Sequence, residues 1–191
     1  TIVPQYIIWG DEQYKDRFDL TSLEFYQRLE TDNVRPTTSQ ASVNDFKKAY
    51  EDLKLKGITE IIVLTVSSAM SGTFQMAKNA AKLVDFPVTV VDSKGPTMTL
   101  GWQVLVAARA NEMGNDVKTI LEKIDQVRKR LVQFVAMDTL EYLHQGGRIG
   151  GAVKWVGGLL HVKPLISINH ETGLVEPVSL ARTHKALVEN M

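Results

Sequence analysis

The fold is indicated by one stretch, residues 61–92, which reads IIVLTVSSAMSGTFQMAKNAAKLVDFPVTVVD. Its apolar run at 61–66 predicts a strand that is covered on both faces, and the run at 88–91 predicts a second one. Apolar residues between the two runs recur at helical spacing. Strand, loop, helix and strand with short connections are typical of a parallel β-sheet.

The flanking sequence predicts further elements before residue 131. These are strands at 2–9 and around Tyr14, a loop at 35–40, and helices at 22–29, 43–56, 97–113 and 120–131. Ser42 and Asp45 have the spacing of a capping box, and Gly57 predicts the end of the helix that they begin.

The pattern changes after Leu131. The sequence there predicts a strand at 132–137, a helical turn at 140–143, a glycine-rich bend at 146–151, helices at 153–160 and 180–190, and a hairpin of 165–168 with 174–178. We therefore expect an α/β protein of two domains. A Rossmann-like parallel-sheet domain at 1–131 precedes a smaller α/β domain with a mainly antiparallel sheet at 132–191.

The composition limits the possible partners. Among 191 residues, 22 basic and 22 acidic side chains are interleaved, so the charge pattern predicts neither a nucleic-acid surface nor an anionic membrane surface. No apolar run approaches the roughly 20 residues of a membrane-spanning helix, so we expect no integral membrane segment. Because cysteine is absent, disulfides and thiolate metal sites are excluded, and we expect a reducing compartment, by default the cytoplasm.

Two hydroxyl-rich segments, TTSQ at 37–40 and SSAMSGT at 67–73, each lead into a predicted helix. Loops at the carboxyl ends of parallel strands gather where ligands bind, and a helix N-terminus offers unpaired N–H groups with partial positive charge. We therefore predict an anion site, with Gly72 allowing close approach of the backbone. The alternative is that the hydroxyl groups only cap helices. Those concerned are Thr38, Ser39, Ser42 and Ser71.

Other kinds of site are not indicated. The four histidines are scattered and show no metal-ligand spacing. The serines of 67–73 lack the G-x-S-x-G nucleophile elbow. The glycines of 146–151 match neither a P-loop nor a dinucleotide fingerprint. We therefore predict no metal site, no nucleotide site and no catalytic residue.

Several segments, taken in order, resemble the characteristic segments of the DegV family. They are PTTSQAS at 36–42, SSAMSGTFQ at 67–75, VDS at 91–93 and YLHQGGRI at 142–149, followed by KPL at 163–165. Together they extend over nearly the whole chain, and several motifs in order are more specific than one motif alone.

The resemblance implies a protein that binds a long-chain fatty acid and uses no other cofactor. In the family, the threonine of the TSQ motif and the serine of the SGT motif hold the carboxylate. Those positions are Thr38 and Ser71 here, with Ser39 and Gly72 beside them. Bacterial members hand the fatty acid to a separate kinase, which forms an acyl phosphate for phospholipid synthesis. The resemblance therefore implies a lipid carrier and not an enzyme.

The resemblance also implies a docking surface and a tail pocket. Arg148 matches the family's kinase-docking arginine and Arg182 belongs to the same basic surface, although a solvated charge on a glycine turn is the alternative for Arg148. The acyl tail is expected to lie between the two domains, against apolar residues that are otherwise plain core. These are Met70, Phe74, Met98, Leu100, Trp102, Val153, Trp155 and Leu159.

Family members ordinarily have a strand with a Thr-Asp-Ser turn before this region and a further helix, strand and glycine-containing segment after it. We therefore expect the sequence to be a piece of a longer protein. Two other functions stay open. One is a small hydrolase or transferase that acts on an anionic metabolite at the same loops, which needs a general base near Ser71. The other is an interaction module with a purely structural anion site.

Overall fold

The computed structural model describes residues 1–155, 162–183 and 185–186. The strands are β1 (Tyr6–Trp9), β2 (Glu12–Lys15), β3 (Thr37–Ser39), β4 (Ile61–Thr65), β5 (Val88–Asp92), β6 (Phe134–Ala136), β7 (Lys163–Ile168) and β8 (Val175–Ala181). The α-helices are α1 (Ser22–Thr31), α2 (Val43–Leu55), α3 (Thr73–Ala81), α4 (Thr97–Glu112), α5 (Val117–Arg130) and α6 (Glu141–Gln145), and a 3₁₀-helix covers Gly150–Trp155.

The strands form three sheets. An antiparallel sheet has the order β2-β1-β3, a parallel pair joins β4 to β5, and a second antiparallel sheet has the order β6-β7-β8. The predicted mixed α/β class is confirmed, as are the parallel β4-β5 pair and the antiparallel β7-β8 hairpin.

The described residues divide into two compact units. The first contains Thr1–Val63 and Ser71–Val90, and the second contains Leu64–Met70 and the described residues from Val91 onward. The predicted domain boundary near Leu131 follows a change in element type along the sequence, and it stays a prediction.

The core of the first unit lies around α2 and α3. Its buried members are Ala41, Phe46, Tyr50, Ile61, Ala77 and Ala80. The Tyr50 hydroxyl donates a hydrogen bond of 3.2 Å to the carbonyl oxygen of Ala77, and burial raises the pKa of Tyr50 to about 12. The spacing of Phe46 and Tyr50 along α2 places both rings on one helix face, as the sequence pattern predicts.

The second unit has its own core, to which the β7-β8 hairpin contributes. The buried members are Leu140, Ile149, Ala152, Ile166, Ile168 and Val175. Ile166 and Ile168 lie on one face of β7, and the fully buried Leu165 lies on the other, so β7 is covered on both faces. From the glycine-rich bend and the 3₁₀-helix, Ile149 and Ala152 contribute to this core.

Several predicted boundaries are corrected. The predicted loop at 35–40 is wrong over Thr37–Ser39, which pairs with β1 because β-branched threonine suits an edge strand. The strand predicted at 2–9 begins only at Tyr6. Leu180, predicted to begin a helix, lies in β8. The predicted helices at 153–160 and 180–190 extend partly outside the described residues.

Within the described part of the chain, none of the helices combines the length and the apolar character that crossing a bilayer requires.

Candidate anion-binding site

The two hydroxyl-rich segments approach each other at Gly72. A β-carbon built on Gly72 would lie 3.2 Å from Nε2 of Gln40, the last residue of the TTSQ segment. The glycine therefore removes a side chain from the point where the SSAMSGT segment meets the TTSQ segment. The predicted pairing of these segments in one site is geometrically possible within the first unit.

The TTSQ segment presents its hydroxyls from an edge strand. Thr38 lies opposite Ile7 and Ser39 lies opposite Tyr6 in the antiparallel β1-β3 pairing. Both side chains are exposed, and the Ser39 hydroxyl donates a 3.3 Å hydrogen bond to the carbonyl oxygen of Gln40. Neither residue caps a helix, so the capping alternative is wrong for Thr38 and Ser39.

Ser42 is the hydroxyl residue that does cap a helix in this region. Its Oγ accepts a 3.1 Å hydrogen bond from the N–H of Asp45, and the Asp45 carboxylate accepts from the Ser42 N–H at 2.8 Å. This reciprocal pair is the predicted capping box at the start of α2. It satisfies N–H groups at that terminus, so the α2 N-terminus offers fewer donors to a ligand.

At the N-terminus of α3, Gly72 occupies the cap position and makes no side-chain hydrogen bond, and the cap residues of α4 and α6 likewise make none. By contrast, side chains of Thr21, Ser42 and Asp116 cap α1, α2 and α5. Gly72 supplies no acceptor, and Oγ of Ser71 accepts from the Thr73 N–H, so the remaining N–H groups of the first turn leave part of the positive charge uncompensated. This terminus therefore suits an anion better than the capped termini of α1, α2 and α5 do.

Ser71 stands directly before this helix. Its Oγ lies 2.8 Å from Oγ1 of Thr73 and accepts a 3.3 Å hydrogen bond from the Thr73 N–H. Ser71 is half-buried and Thr73 is buried. When the Thr73 hydroxyl donates to Ser71, the Ser71 proton remains for another acceptor. A carboxylate is such an acceptor.

The first half of the SSAMSGT segment, Ser67–Met70, belongs to the second unit and is held from several sides. The buried Ser67 hydroxyl donates a 3.0 Å hydrogen bond to the carbonyl oxygen of Gly173. The Ser68 N–H donates to Oδ1 of Asp92 at 3.1 Å, and the Ser68 hydroxyl also donates to the same carboxylate. These bonds fix the backbone that leads into Ser71.

The Asp92 carboxylate is stabilised in its charged form. Burial acts to raise the pKa of Asp92, but hydrogen bonds from Ser68 and Lys94 outweigh burial and hold the pKa below its ordinary value. Nζ of Lys94 lies 3.0 Å from Oδ2 of Asp92. Asp92 is therefore an anchor for two loops and a weak base at neutral pH.

Arg148 also contacts this loop. Its Nε donates a 2.9 Å hydrogen bond to the carbonyl oxygen of Met70, and its Nη1 donates to the carbonyl oxygen of Gly146. The residue is exposed, as is Arg182 after β8. Their predicted joint docking surface stays a prediction, but Arg148 has a bonding role within the chain that the sequence did not indicate.

The residues predicted to line an acyl tail have different surroundings. Met70 and Trp155 pack against the core of the second unit. Met98, Trp102 and Val153 are 51%, 46% and 54% exposed, so these three are not plain core within the described structure. Phe74 and Leu100 are half-buried, and Leu159 lies outside the described residues.

Ser67 and Gln40 lie in the two predicted segments, but no role was predicted for either, and the sequence did not indicate Gly173 at all. Asp92 stood in a matching segment, but no role was predicted for it. The contacts that define these roles join residues far apart in the chain, such as Ser67 and Gly173. In the described residues, no group of three or more histidine, aspartate or glutamate side chains is placed to hold a metal ion.

Fold and local geometry together define an α/β protein with a hydroxyl-lined candidate anion site at an uncapped helix. A family model described as "Uncharacterised protein, DegV family" matches residues 1–191. The chain belongs to the DegV family.

Relatives of known sequence or structure support this assignment. A DegV domain-containing protein of Halalkalibacterium halodurans is 34% identical over 96% of this chain and 65% of its own length. A solved structure described as "Fatty Acid Binding of a DegV family Protein from Thermus thermophilus" is 34% identical, with a TM-score of 0.89 over 98% of this chain and 66% of that one.

A third relative is a solved structure of a stearic-acid-binding protein from Eubacterium ventriosum. It is 28% identical, with a TM-score of 0.90, over all of this chain and 66% of the other. The chain thus spans about two thirds of the length of these relatives.

Proposed function

We propose that this chain is the carboxylate-binding part of a fatty-acid carrier. Thr38, Ser39 and Ser71 donate hydroxyl hydrogen bonds to the carboxylate of one long-chain fatty acid, and the backbone at Gly72 approaches it closely. The bound fatty acid is the ligand, and the protein carries it without converting it.

The observation that carries the proposal is the meeting of two hydroxyl-bearing segments at the uncapped N-terminus of α3. A β-carbon on Gly72 would lie 3.2 Å from Gln40, so the segments are neighbours, and Gly72 leaves the helix terminus without a side-chain cap. Hydroxyl donors and a helix N-terminus suit an anion without specifying which one. The choice of a fatty acid rests on the solved relatives described as fatty-acid-binding.

An acyl tail makes tight binding energetically reasonable. Burial of each methylene stabilises by roughly 0.8 kcal/mol, so a long chain contributes on the order of 10 kcal/mol before the entropic costs of binding. Within the second unit, Met98, Trp102 and Val153 each leave apolar surface uncovered in the described structure.

A kinase is the proposed partner. The family resemblance supports phosphorylation of the bound carboxylate to an acyl phosphate by a separate kinase subunit, for use in phospholipid synthesis in the cytoplasm. Arg148 and Arg182 are the proposed docking residues because both are exposed cations. For Arg148 the partner has to share or replace the bonds to Met70 and Gly146.

The chemistry at the loops favours a carrier over a hydrolase. A hydrolase that uses a serine of the SSAMSGT segment requires a nearby general base. Asp92 is hydrogen-bonded to Ser68, but its pKa is lowered by Ser68 and Lys94 against the effect of burial. The carboxylate is held in its charged form by four donors, the N–H and hydroxyl of Ser68 and the N–H and ammonium of Lys94, so it is a poor proton acceptor at neutral pH.

The test is to extract the purified full-length protein with organic solvent and identify bound fatty acid by mass spectrometry. We expect one fatty acid per protein in the wild type and its loss in Ser71→Ala. Ser42→Ala is the matched control, since it removes a nearby hydroxyl that caps α2 and has no proposed ligand contact. An empty wild-type extract contradicts the proposal, and so does equal loss in both variants.

A further inference from the structure

The loop before Ser71 is held by the turn of the β7-β8 hairpin, through Ser67 and Gly173. Ser67 is fully buried, and its hydroxyl donates a 3.0 Å hydrogen bond to the Gly173 carbonyl oxygen. Oγ of Ser67 also accepts a 3.2 Å hydrogen bond from the N–H of Ala69. One side chain thus fixes the hairpin turn and the loop at the same time.

The hairpin turn is itself firmly built. Oδ1 of Asn169 accepts hydrogen bonds from the N–H groups of Glu171 and Thr172 at 2.8 and 2.9 Å. The Gly173 N–H donates to the Asn169 carbonyl oxygen at 2.7 Å. A turn with this internal bonding presents the Gly173 carbonyl in one position, so it is a rigid support for Ser67.

Gly173 is required at this contact for steric reasons. Its φ is +76°, and a β-carbon there would overlap the Ser67 hydroxyl and lie 3.1 Å from the Ser67 β-carbon. Ser67 is buried and cannot move away into solvent. Any side chain at position 173 therefore displaces the loop or the turn.

The loop has two more anchors besides Ser67. Asp92 holds Ser68 through its N–H and its hydroxyl, and Arg148 holds the Met70 carbonyl at 2.9 Å. Ser71 follows Met70 directly in the chain. The backbone that sets the direction of Ser71 is therefore bonded at Ser67, Ser68 and Met70.

We propose that Ser67 and Gly173 are positioning residues that hold the loop before Ser71 ready for the ligand carboxylate. The inference rests on the proposed function, because the ligand is the fatty acid proposed above. A preorganised loop binds more tightly since less ordering occurs on binding, and its loss appears mainly as faster ligand release.

The chain provides a matched control for the backbone effect of a substitution at Gly173. Gly114 has φ +75°, and a β-carbon there meets nothing within 4 Å. Gly114→Ala and Gly173→Ala therefore carry the same unfavourable φ for alanine, but only Gly173→Ala creates a clash with Ser67. A difference in palmitic acid release between the two variants therefore reports the contact of position 173 with Ser67 and not the cost of placing alanine at a positive φ.

The experiment measures palmitic acid dissociation from the full-length wild type, Gly114→Ala, Gly173→Ala and the double variant Ser67→Gly/Gly173→Ala. We expect Gly173→Ala to release palmitic acid roughly tenfold faster than Gly114→Ala, as for a lost buried hydrogen bond. The double variant removes the clash without restoring the hydrogen bond. We therefore expect its release rate to lie between those of Gly173→Ala and the wild type.

Amide hydrogen exchange at Ala69 and Met70 provides a readout without ligand. These N–H groups donate to the Ser67 hydroxyl and carbonyl oxygens, so we expect faster exchange in Gly173→Ala and ordinary exchange in Gly114→Ala. Equal release and exchange in the two glycine variants overturn the positioning role. The positioning role is also overturned if the double variant releases palmitic acid as fast as Gly173→Ala does. A wild type that binds no palmitic acid overturns the proposed function and, with it, the ligand role of this contact.

Discussion

The two hydroxyl-rich segments have similar composition and different construction. The TTSQ segment is the edge strand β3, exposed at Thr37–Ser39 and held by backbone pairing with β1. The SSAMSGT segment begins with a loop held by Gly173, Asp92 and Arg148 and ends at the uncapped α3. The comparison teaches that residue type indicates what a segment can bind, while its anchors determine how firmly it is placed.

The largest expected effect is the difference in palmitic acid affinity between a variant of the SSAMSGT segment and a variant of the TTSQ segment. Ser71→Ala removes a hydroxyl at the helix terminus, and we expect a loss of about 1.5–3 kcal/mol of palmitic acid binding free energy, as for a hydrogen bond to a charged group. Ser39→Ala removes a hydroxyl from the exposed strand, and we expect a smaller loss. Isothermal titration of both variants measures the difference. A greater loss in Ser39→Ala would reverse the comparison.

The second expected effect concerns the anchor at Asp92. Asp92→Asn weakens the bonds to Ser68 and Lys94, and we expect the free energy of unfolding at neutral pH to fall by about 1–2 kcal/mol. The measurement is urea unfolding followed by circular dichroism. Asp11→Asn, at an exposed position, is the control for loss of one negative charge.

The same variant has a pH dependence of definite sign. Because hydrogen bonds lower the pKa of Asp92 in the folded state, its carboxylate stabilises the fold above the ordinary pKa of 3.8. That contribution is lost as the pH falls below 3.8 and through the folded-state pKa. We expect the stability difference between wild type and Asp92→Asn to shrink over this acidic range. A constant difference down to pH about 2 would show that the charge of Asp92 is not involved.

A third, smaller effect tests whether capping and binding are separate functions in neighbouring serines. Ser42→Ala removes the cap of α2, and we expect a loss of about 1 kcal/mol of unfolding free energy with unchanged palmitic acid affinity. Ser42→Asn retains a capping side chain and is expected to restore the stability. Weaker palmitic acid binding by Ser42→Ala at a temperature where it is fully folded would place Ser42 in the site.

The smallest effect concerns the point where the segments meet. A β-carbon at Gly72 would meet the flexible end of Gln40, so Gly72→Ala is expected to change the unfolding free energy by about 0.5 kcal/mol or less. We expect palmitic acid affinity to fall a few-fold, since the methyl group also limits approach of the ligand to the backbone. The double variant Gln40→Ala/Gly72→Ala removes the contact with Gln40 and keeps the methyl group in the path of the ligand. Its palmitic acid affinity therefore shows which of the two causes weakens binding.

The sequence predicted those parts of the fold that local patterns determine. The parallel β4-β5 pair was predicted from the two apolar runs and from the helical spacing of α3 between them. The capping box was predicted from the spacing of Ser42 and Asp45. The edge strand β3 was missed because its pairing depends on β1, about 30 residues earlier, and three hydroxyl residues carry no apolar alternation.

The sequence predicted which residue types make up the candidate site, but not the hydrogen bonds that hold them in place. Thr38, Ser39, Ser71 and Gly72 stood out by residue type and by resemblance. The bond from Ser67 to Gly173 joins residues 106 positions apart, and no local pattern encodes it. The sequence analysis interpreted Arg148 as a docking residue, with a solvated charge as the alternative, and missed its bond to the Met70 carbonyl because that contact depends on tertiary structure.

The contact between Ser67 and Gly173 also restricts the order in which this protein can change over generations. Alanine at position 173 clashes while serine occupies position 67, whereas glycine at position 67 makes room for it. A lineage that reaches a side chain at position 173 therefore first replaces Ser67 by a residue without the hydroxyl, such as glycine. Reconstructed ancestors along such a lineage are expected to show the two replacements in that order and not in the reverse one.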